Sequence, residues 1–384
     1  MSLPRRAFLH LGAGLASIAW SGRRVLHAMI QPLAPGARIV RQAAPENLET
    51  DFAAIDAFLT PTSQHYVRSH FAVPETASTG WLLAVRGAVG RPLSLSLADL
   101  RAMPQVTRAV TMECAGNGRQ FLTPAVAGVQ WERGAVSTAE WTGVRLSDLL
   151  GQAGLRPGAT TLVFEGQDRG EVKNPPSPAG VITFHRSLSL DEARLRDVLV
   201  AHAINGEPLP AAHGAPARLI VPGCYGMASV KWLTAIEVAV DPAGGYWETT
   251  DYAYWDRSSG RPVRRPLLAM QVKSLIARPS PKGQVVRGAS VEITGGAWAD
   301  GVVSRVDVST DGGQSWHDAE LVDPPNPVAW RRWRYQWQVP AGAGEAVLMS
   351  RATDARGRTQ PMTRNADYGT YVIHHVVPVP VTIA

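Results

Sequence analysis

The sequence predicts an α+β protein, with a mixed helix-and-strand domain followed by an immunoglobulin-like β-sandwich. Three observations lead there. Glycine (36) and proline (29) are abundant together among 384 residues, which favours turns and short strands over long helices. Between residues 38 and 256 helical and alternating patterns interleave without a clean parallel β-α-β repeat. Beyond Arg257 short alternating segments recur with turn signals between them. The expected organisation is therefore an N-terminal leader over 1–28, a first domain over 38–256 and a second over 265–384.

Taken in order, Asp51–Leu59 carries a short helical pattern, and Tyr66–Phe71 alternates as a strand with Arg68 and His70 on one face. Trp81–Val85 reads as a strand, and Pro92–Met103 has the leucine spacing of a short helix ending before Pro104. Thr107–Met112 alternates again. Trp141–Ala153 reads as a helix with Leu146, Leu149 and Leu150 on one face and Gly154 as its stop. Thr160–Glu165 and Ala217–Val221 are short apolar core strands, and Arg257–Pro262 is a connector. The sandwich strands are expected at Leu275–Ala277, Ser290–Ala297, Ser304–Ser309, Arg332–Gln338, Ala346–Ala352 and Tyr371–Pro378. Ser309–Trp316 has the pattern of an Asp-box hairpin, with Asp311 capping the loop and Trp316 beneath it. It occurs once, whereas a propeller needs several copies.

Composition narrows the function. Hydrophobic content of 45% and charged content of 18% are those of an ordinary globular protein. The net charge is +6, and nearly all the basic residues are arginine; the lysines are Lys173, Lys231, Lys273 and Lys282. No basic run alternates with aromatics, so nucleic acid is not an expected partner. An anionic ligand fits better. Two cysteines, Cys114 and Cys224, make no disulfide framework, and no Cys-x-x-Cys-His is present to attach a c-type haem. At the N-terminus Arg5-Arg6-Ala7-Phe8-Leu9 leads into the apolar stretch Leu11–Trp20, like a twin-arginine export signal ending near Ala28. The expected location is the periplasm.

Two segments carry chemistry. Met112-Glu113-Cys114-Ala115-Gly116-Asn117-Gly118-Arg119 sets a thiol among residues small enough to let backbone approach a ligand, with a guanidinium fork for an oxyanion. Alone it is equally compatible with a buried thiol beside a turn. Asn205–Leu233 punctuates single polar residues, His213, Arg218 and Lys231, with Gly and Pro, as at strand ends that hold a phosphate or a polar heterocycle.

Together these segments resemble the sulfite oxidase family of molybdopterin enzymes, from about Tyr66 through Tyr252 and weakly into the sandwich. The resemblance implies a sulfite oxidase-type molybdopterin domain with Cys114 as the protein ligand to one molybdenum. It implies pterin and phosphate contacts from His70, Asp168, His213, Arg218 and Lys231. It also implies an anion pocket from Arg68, Arg119, Trp131 and Tyr252. By residue type alone, Arg68 and His70 also fit a solvated strand face, Trp131 a core, and Tyr252 an aromatic cluster with Tyr246, Trp247, Tyr254 and Trp255. Family members place a further pocket arginine in the C-terminal domain, and Arg364 is the candidate here.

The implied activity is oxidation of sulfite to sulfate, with electrons leaving to a separate acceptor such as a c-type cytochrome and with no haem in this chain. A homodimer through the sandwich is implied too. Sulfane dehydrogenase or sulfoxide reductase activity would use the same fold. A cofactor-free sandwich that simply binds a partner is the reading from outside the enzymes.

Overall fold

The computed structural model describes residues 38–75, 80–173, 176–241 and 244–384, so the leader expected over 1–28 lies outside the described residues. From Arg38 onward the described residues hold together as one unit.

The long hairpin Val106–Glu113 and Val136–Arg145 pairs antiparallel from Val106↔Gly143 to Glu113↔Val136. Val136–Arg145 is almost wholly buried although it carries Ser137 and Thr138. Their hydroxyls are satisfied by Thr50 (2.9 Å) and by a short bond to Thr111, so the polar atoms cost little inside. Leu199–Ile204 pairs on its far side and in turn holds Glu207–Pro208 and Arg218–Ile220. A second sheet runs Leu93–Ser96, Leu82–Gly87, Leu233–Ala239, Thr161–Glu171 and Val181–Ser189. Its Leu82–Gly87 and Leu233–Ala239 pair is parallel. A small sheet of Ile39–Gln42, Asn47–Glu49 and Val67–Arg68 completes the first part.

Helices are fewer and shorter than the sequence patterns suggest. Asp51–Leu59 gives only the 3₁₀ turn Phe52–Ala54, with the Asp51 carboxylate accepting from the Ala53 amide. Pro92–Met103 divides into the strand Leu93–Ser96 and the helix Leu97–Ala102, because Ser96 and Asp99 form a reciprocal capping box that starts the helix at Leu97. Trp141–Ala153 divides likewise. Trp141–Arg145 finishes a strand that pairs with residues 106–108 on one side and Leu199–Ile204 on the other, and the helix is Leu146–Ala153. Leu190–Leu195, capped by Ser189, is the other α-helix among the described residues.

The second part has two sheets. One runs Lys273–Arg278, Ser290–Trp298, Arg331–Gln338 and Glu320–Leu321; the other runs Gln284–Val285, Val379–Ile383, Gly344–Asp354, Val303–Ser309 and His317–Asp318. Ile276, Ile293, Trp333 and Trp337 from the first meet Val306, Val308, Leu348 and Val381 from the second in one core, as in a sandwich. In the Asp-box hairpin the Asp311 carboxylate accepts from the Gln314 and Ser315 amides. Trp316 donates to the Gly313 carbonyl and lies 4.2 Å from the Arg351 guanidinium. The connector expected at Arg257–Pro262 is the tip of a hairpin between Ala253–Asp256 and Val263–Pro266. Tyr371–Pro378 is not a strand. Its Val372 amide donates to the Ala115 carbonyl of the first part, and the last sandwich strand follows at Val379–Ile383.

Candidate active site

Cys114 follows directly on the strand Val106–Glu113, where that strand runs into the interior and its last four residues are all buried. The chain then turns tightly. The Cys114 amide donates to the Ala135 carbonyl, and the Asn117 amide returns to the Cys114 carbonyl at 2.8 Å. Gly118 takes φ of +98°, a left-handed value that favours glycine. Gly116 and Gly128 receive the Arg119 guanidinium, and a Cβ on either would lie 2.8 Å or less from its nitrogens. The glycines noticed in the sequence therefore make room for an arginine as well as for a turn.

Cys114 opens onto a cavity holding about 630 Å³ of empty space, mouth included. Eight residues singled out from the sequence line it: Arg68, His70, Cys114, Asp168, His213, Arg218, Lys231 and Tyr252. They arrive from separate elements. Arg68 ends the short strand Val67–Arg68, His213 closes the 3₁₀ turn Ala211–His213, and Tyr252 follows a single π-helical turn, Trp247–Asp251.

Each is held by its surroundings. The Tyr252 hydroxyl and His70 Nε2 are 2.6 Å apart, and the His70 ring stacks on Phe184 at 4.5 Å. Arg218 donates to the carbonyls of His213 and Ser229, both at 3.0 Å, and its guanidinium lies 4.9 Å from the Trp141 ring. Lys231 Nζ donates to Ser69 Oγ and the Ala212 carbonyl, both at 2.9 Å, above the Trp232 ring. Arg68 donates to the Ser69 carbonyl and to Asn47.

The electrostatics follow from burial. Three cationic side chains, Arg68, Arg218 and Lys231, face one carboxylate, Asp168. Burial, then the neighbouring His65 and Arg218, pushes His213 down to about 2. His65 is pushed down to about 3, mainly by burial. His70 and Lys231 are driven well below their ordinary values by burial first and nearby cations second. Burial lifts Asp168 up to about 6 despite Lys231. The three imidazoles are thus neutral at pH 7, and an anion entering here would relieve the crowding of positive charge.

Polar atoms on the same walls lack partners. His65 Nε2, His213 Nε2 and Asp168 Oδ1 are buried with no hydrogen bond. Each such atom costs about 1–3 kcal/mol if left unpaired. A ligand presenting both donors and acceptors fits these walls, as a pterin with a phosphate does. Among the described residues no three His, Cys, Asp or Glu side chains converge to hold a metal ion. A metal at the Cys114 thiol would take its other ligands from a bound cofactor.

Arg119 and Trp131 stand behind the cysteine rather than on the cavity wall. Arg119 donates to the carbonyls of Val129 (2.8 Å) and Thr370 (3.1 Å), with Tyr371 5.1 Å from its guanidinium. Trp131 is fully buried in a cluster with Cys114 and Tyr66. Arg364 does not line the cavity; its charge bears on His375. Cys224 is buried in the core, its thiol pushed up to about 12 by burial, as suits a small apolar filler. His65, Met112, Phe184 and Trp232 line the cavity without having been expected from the sequence. His65 escaped because it has the opposite parity to Tyr66, Arg68 and His70, and only Val67–Arg68 is a true strand there.

Known proteins resemble this chain along most of its length. The family model for an oxidoreductase molybdopterin binding domain matches residues 70–247. That for a Mo-co oxidoreductase dimerisation domain matches 264–370. Mitochondrial sulfite oxidase of Mus musculus is 36% identical over 325 residues, which are 80% of this chain and 58% of that protein. Sulfite oxidase of Gallus gallus is 36% identical over 86% of this chain and 74% of the relative. Nitrate reductase [NAD(P)H] of Hordeum vulgare is 32% identical over 79% and 37%. The sulfane dehydrogenase SoxCD of Paracoccus pantotrophus superposes with a TM-score of 0.78 at 27% identity, covering 94% of this chain and 93% of that one.

Proposed function

Because the chain belongs to the sulfite oxidase family of molybdopterin-dependent oxidoreductases, we propose that it oxidises sulfite to sulfate at a molybdenum centre ligated by Cys114. The observation that carries this reading is the cavity itself. One thiol, three basic side chains and three partnerless polar atoms converge on one cavity.

Within it, Cys114 would hold the metal, and a soft thiolate suits it. His70, His213, Arg218, Lys231 and Asp168, together with His65, would hold the pterin and its phosphate. When bound, the cofactor supplies oxygen-atom transfer and takes up two electrons, so that sulfite and water become sulfate, two protons and two electrons. The chain's own part is placement. The Arg68 guanidinium offers a rigid fork to the oxygens of a small anion. Burial raises the Tyr252 phenol above its ordinary value, so it stays protonated and able to donate, and His70 fixes its direction. Arg119 and Trp131 support that pocket from behind.

The electrons pass to an external acceptor such as a c-type cytochrome. We assign residues 38–256 to the molybdopterin-binding domain and 265–384 to a sandwich through which a second copy of the chain associates. We place the protein in the periplasm by the twin-arginine pattern at Arg5-Arg6. Elemental analysis should find one molybdenum per chain made in a competent host, and sulfite should be oxidised in the steady state with a cytochrome acceptor. A metal-loaded preparation that leaves sulfite untouched overturns the substrate. The end-to-end superposition on a sulfane dehydrogenase favours carrier-bound sulfane sulfur as the second substrate to try.

A further inference from the structure

Glu113, immediately before Cys114, is buried to 1% exposure, yet every polar atom of its carboxylate is engaged. Its Oε1 accepts from Lys273 Nζ at 2.7 Å and from Asn117 Nδ2 at 3.0 Å. Its Oε2 accepts from Trp298 Nε1 at 2.8 Å. Lys273 also donates to the Asn117 carbonyl at 3.1 Å, and Asn117 Oδ1 accepts from the Ala135 amide. Lys273 and Trp298 are both sandwich residues, 2% and 1% exposed, on the paired strands Lys273–Arg278 and Ser290–Trp298.

The geometry is that of a clasp. Residues 113 and 117 are the two feet of the turn that presents Cys114. Lys273 bridges both feet, Glu113 ties them to each other, and Trp298 holds the carboxylate from the other side. The sandwich grips the same strand one turn earlier: the Thr111 amide donates to the Val328 carbonyl, and the Trp330 amide donates to Thr111 Oγ1. Hydrogen bonding of this completeness fixes a ligand's position more narrowly than apolar packing would, since charged partners demand specific directions.

We propose that Glu113, Lys273 and Trp298 are positioning residues for the Cys114 ligand, so that the second domain is a working part of the metal centre. This rests on the reading of Cys114 as the molybdenum ligand. Loss of an outer partner behind a metal ligand lowers metal affinity or activity roughly 10–100-fold. Loss of one partner of a buried ion pair also strains the fold, so Lys273→Met alone would not separate the two effects. Trp298→Phe and Glu113→Gln keep the shape and alter the clasp more gently.

The test uses the full chain, with the exposed sandwich variant Arg334→Gln as control. In the cofactor-free chain, the rate at which iodoacetamide alkylates Cys114 is measured against buried Cys224. In the loaded chain, molybdenum content and the visible sulfur-to-metal absorption band are recorded, with kcat and KM for sulfite. The proposal expects Trp298→Phe and Glu113→Gln to raise Cys114 alkylation about tenfold, to shift the absorption band, and to lower kcat more than they raise KM, within the range known for outer partners. Wild-type alkylation rates and an unshifted band in both variants overturn it, whatever the activity. A wild-type chain that takes up no molybdenum fails the metal reading instead, and the alkylation rates still decide the clasp.

Discussion

Two buried polar regions flank Cys114, and they are built on opposite terms. On the cavity side, His65, His213 and Asp168 each present an atom with no partner. On the sandwich side, the carboxylate of Glu113 and the amine of Lys273 are as deeply buried, and each of their polar atoms has a hydrogen-bond partner. Burial of polar groups is costly unless they are paired, so the open side is a place made for something else to complete. The closed side sets shape. One thiol sits between a surface that awaits a ligand and a surface that needs none.

The comparison breaks most sharply at the cysteine. Cys114→Ser should abolish turnover while the far-ultraviolet circular dichroism and melting temperature stay near wild type. Retained metal with retained turnover would remove the thiol from the centre. Next in size is the closed side. Lys273→Met should destabilise the cofactor-free chain by about 3–5 kcal/mol in urea unfolding, because it strands a buried carboxylate.

The open side should behave in the opposite sense. Burial has raised Asp168 to about 6, so the folded state holds a proton that the unfolded chain has released at that pH. Stability of the cofactor-free chain should therefore fall as pH rises from about 4 through 6, and Asp168→Asn should flatten that slope. Asp168→Asn should lower cofactor content without weakening the empty fold, and a large loss of empty-fold stability would place Asp168 with the closed side. Arg119→Gln, behind the pocket, should raise KM for sulfite about tenfold, the equivalent of about 1.4 kcal/mol. An unchanged KM leaves Arg119 a purely structural prop for the glycine turn. Far from both sides, Ser96→Ala should cost about 1 kcal/mol by removing a helix cap, with turnover unaltered.

The open side was partly legible in the sequence, His65 excepted, and the closed side was not. Cys114, His213, Arg218 and Lys231 sit in short segments where Gly and Pro force turns around single polar residues, and such punctuation survives in one dimension. Glu113 and Lys273 are 160 positions apart, and neither has a local pattern that announces the other. The same limit explains the misplaced elements. The apolar spacing of Trp141–Ala153 continues smoothly across Arg145, and only the pairing with Leu199–Ile204 shows where strand gives way to helix. Tyr371–Pro378 alternates like a strand, but the Val372 amide is drawn to Ala115 beside the thiol.

The clasp also sets an order of events during synthesis. Glu113 leaves the ribosome 160 residues before Lys273 and 185 before Trp298. At elongation rates of about 5–20 residues per second, that is on the order of 10–30 s during which the thiol exists without its grip. A turn finished by residues this far downstream is finished only once most of the chain has been made. Until then the cysteine stands in a turn that its downstream partners have yet to fix.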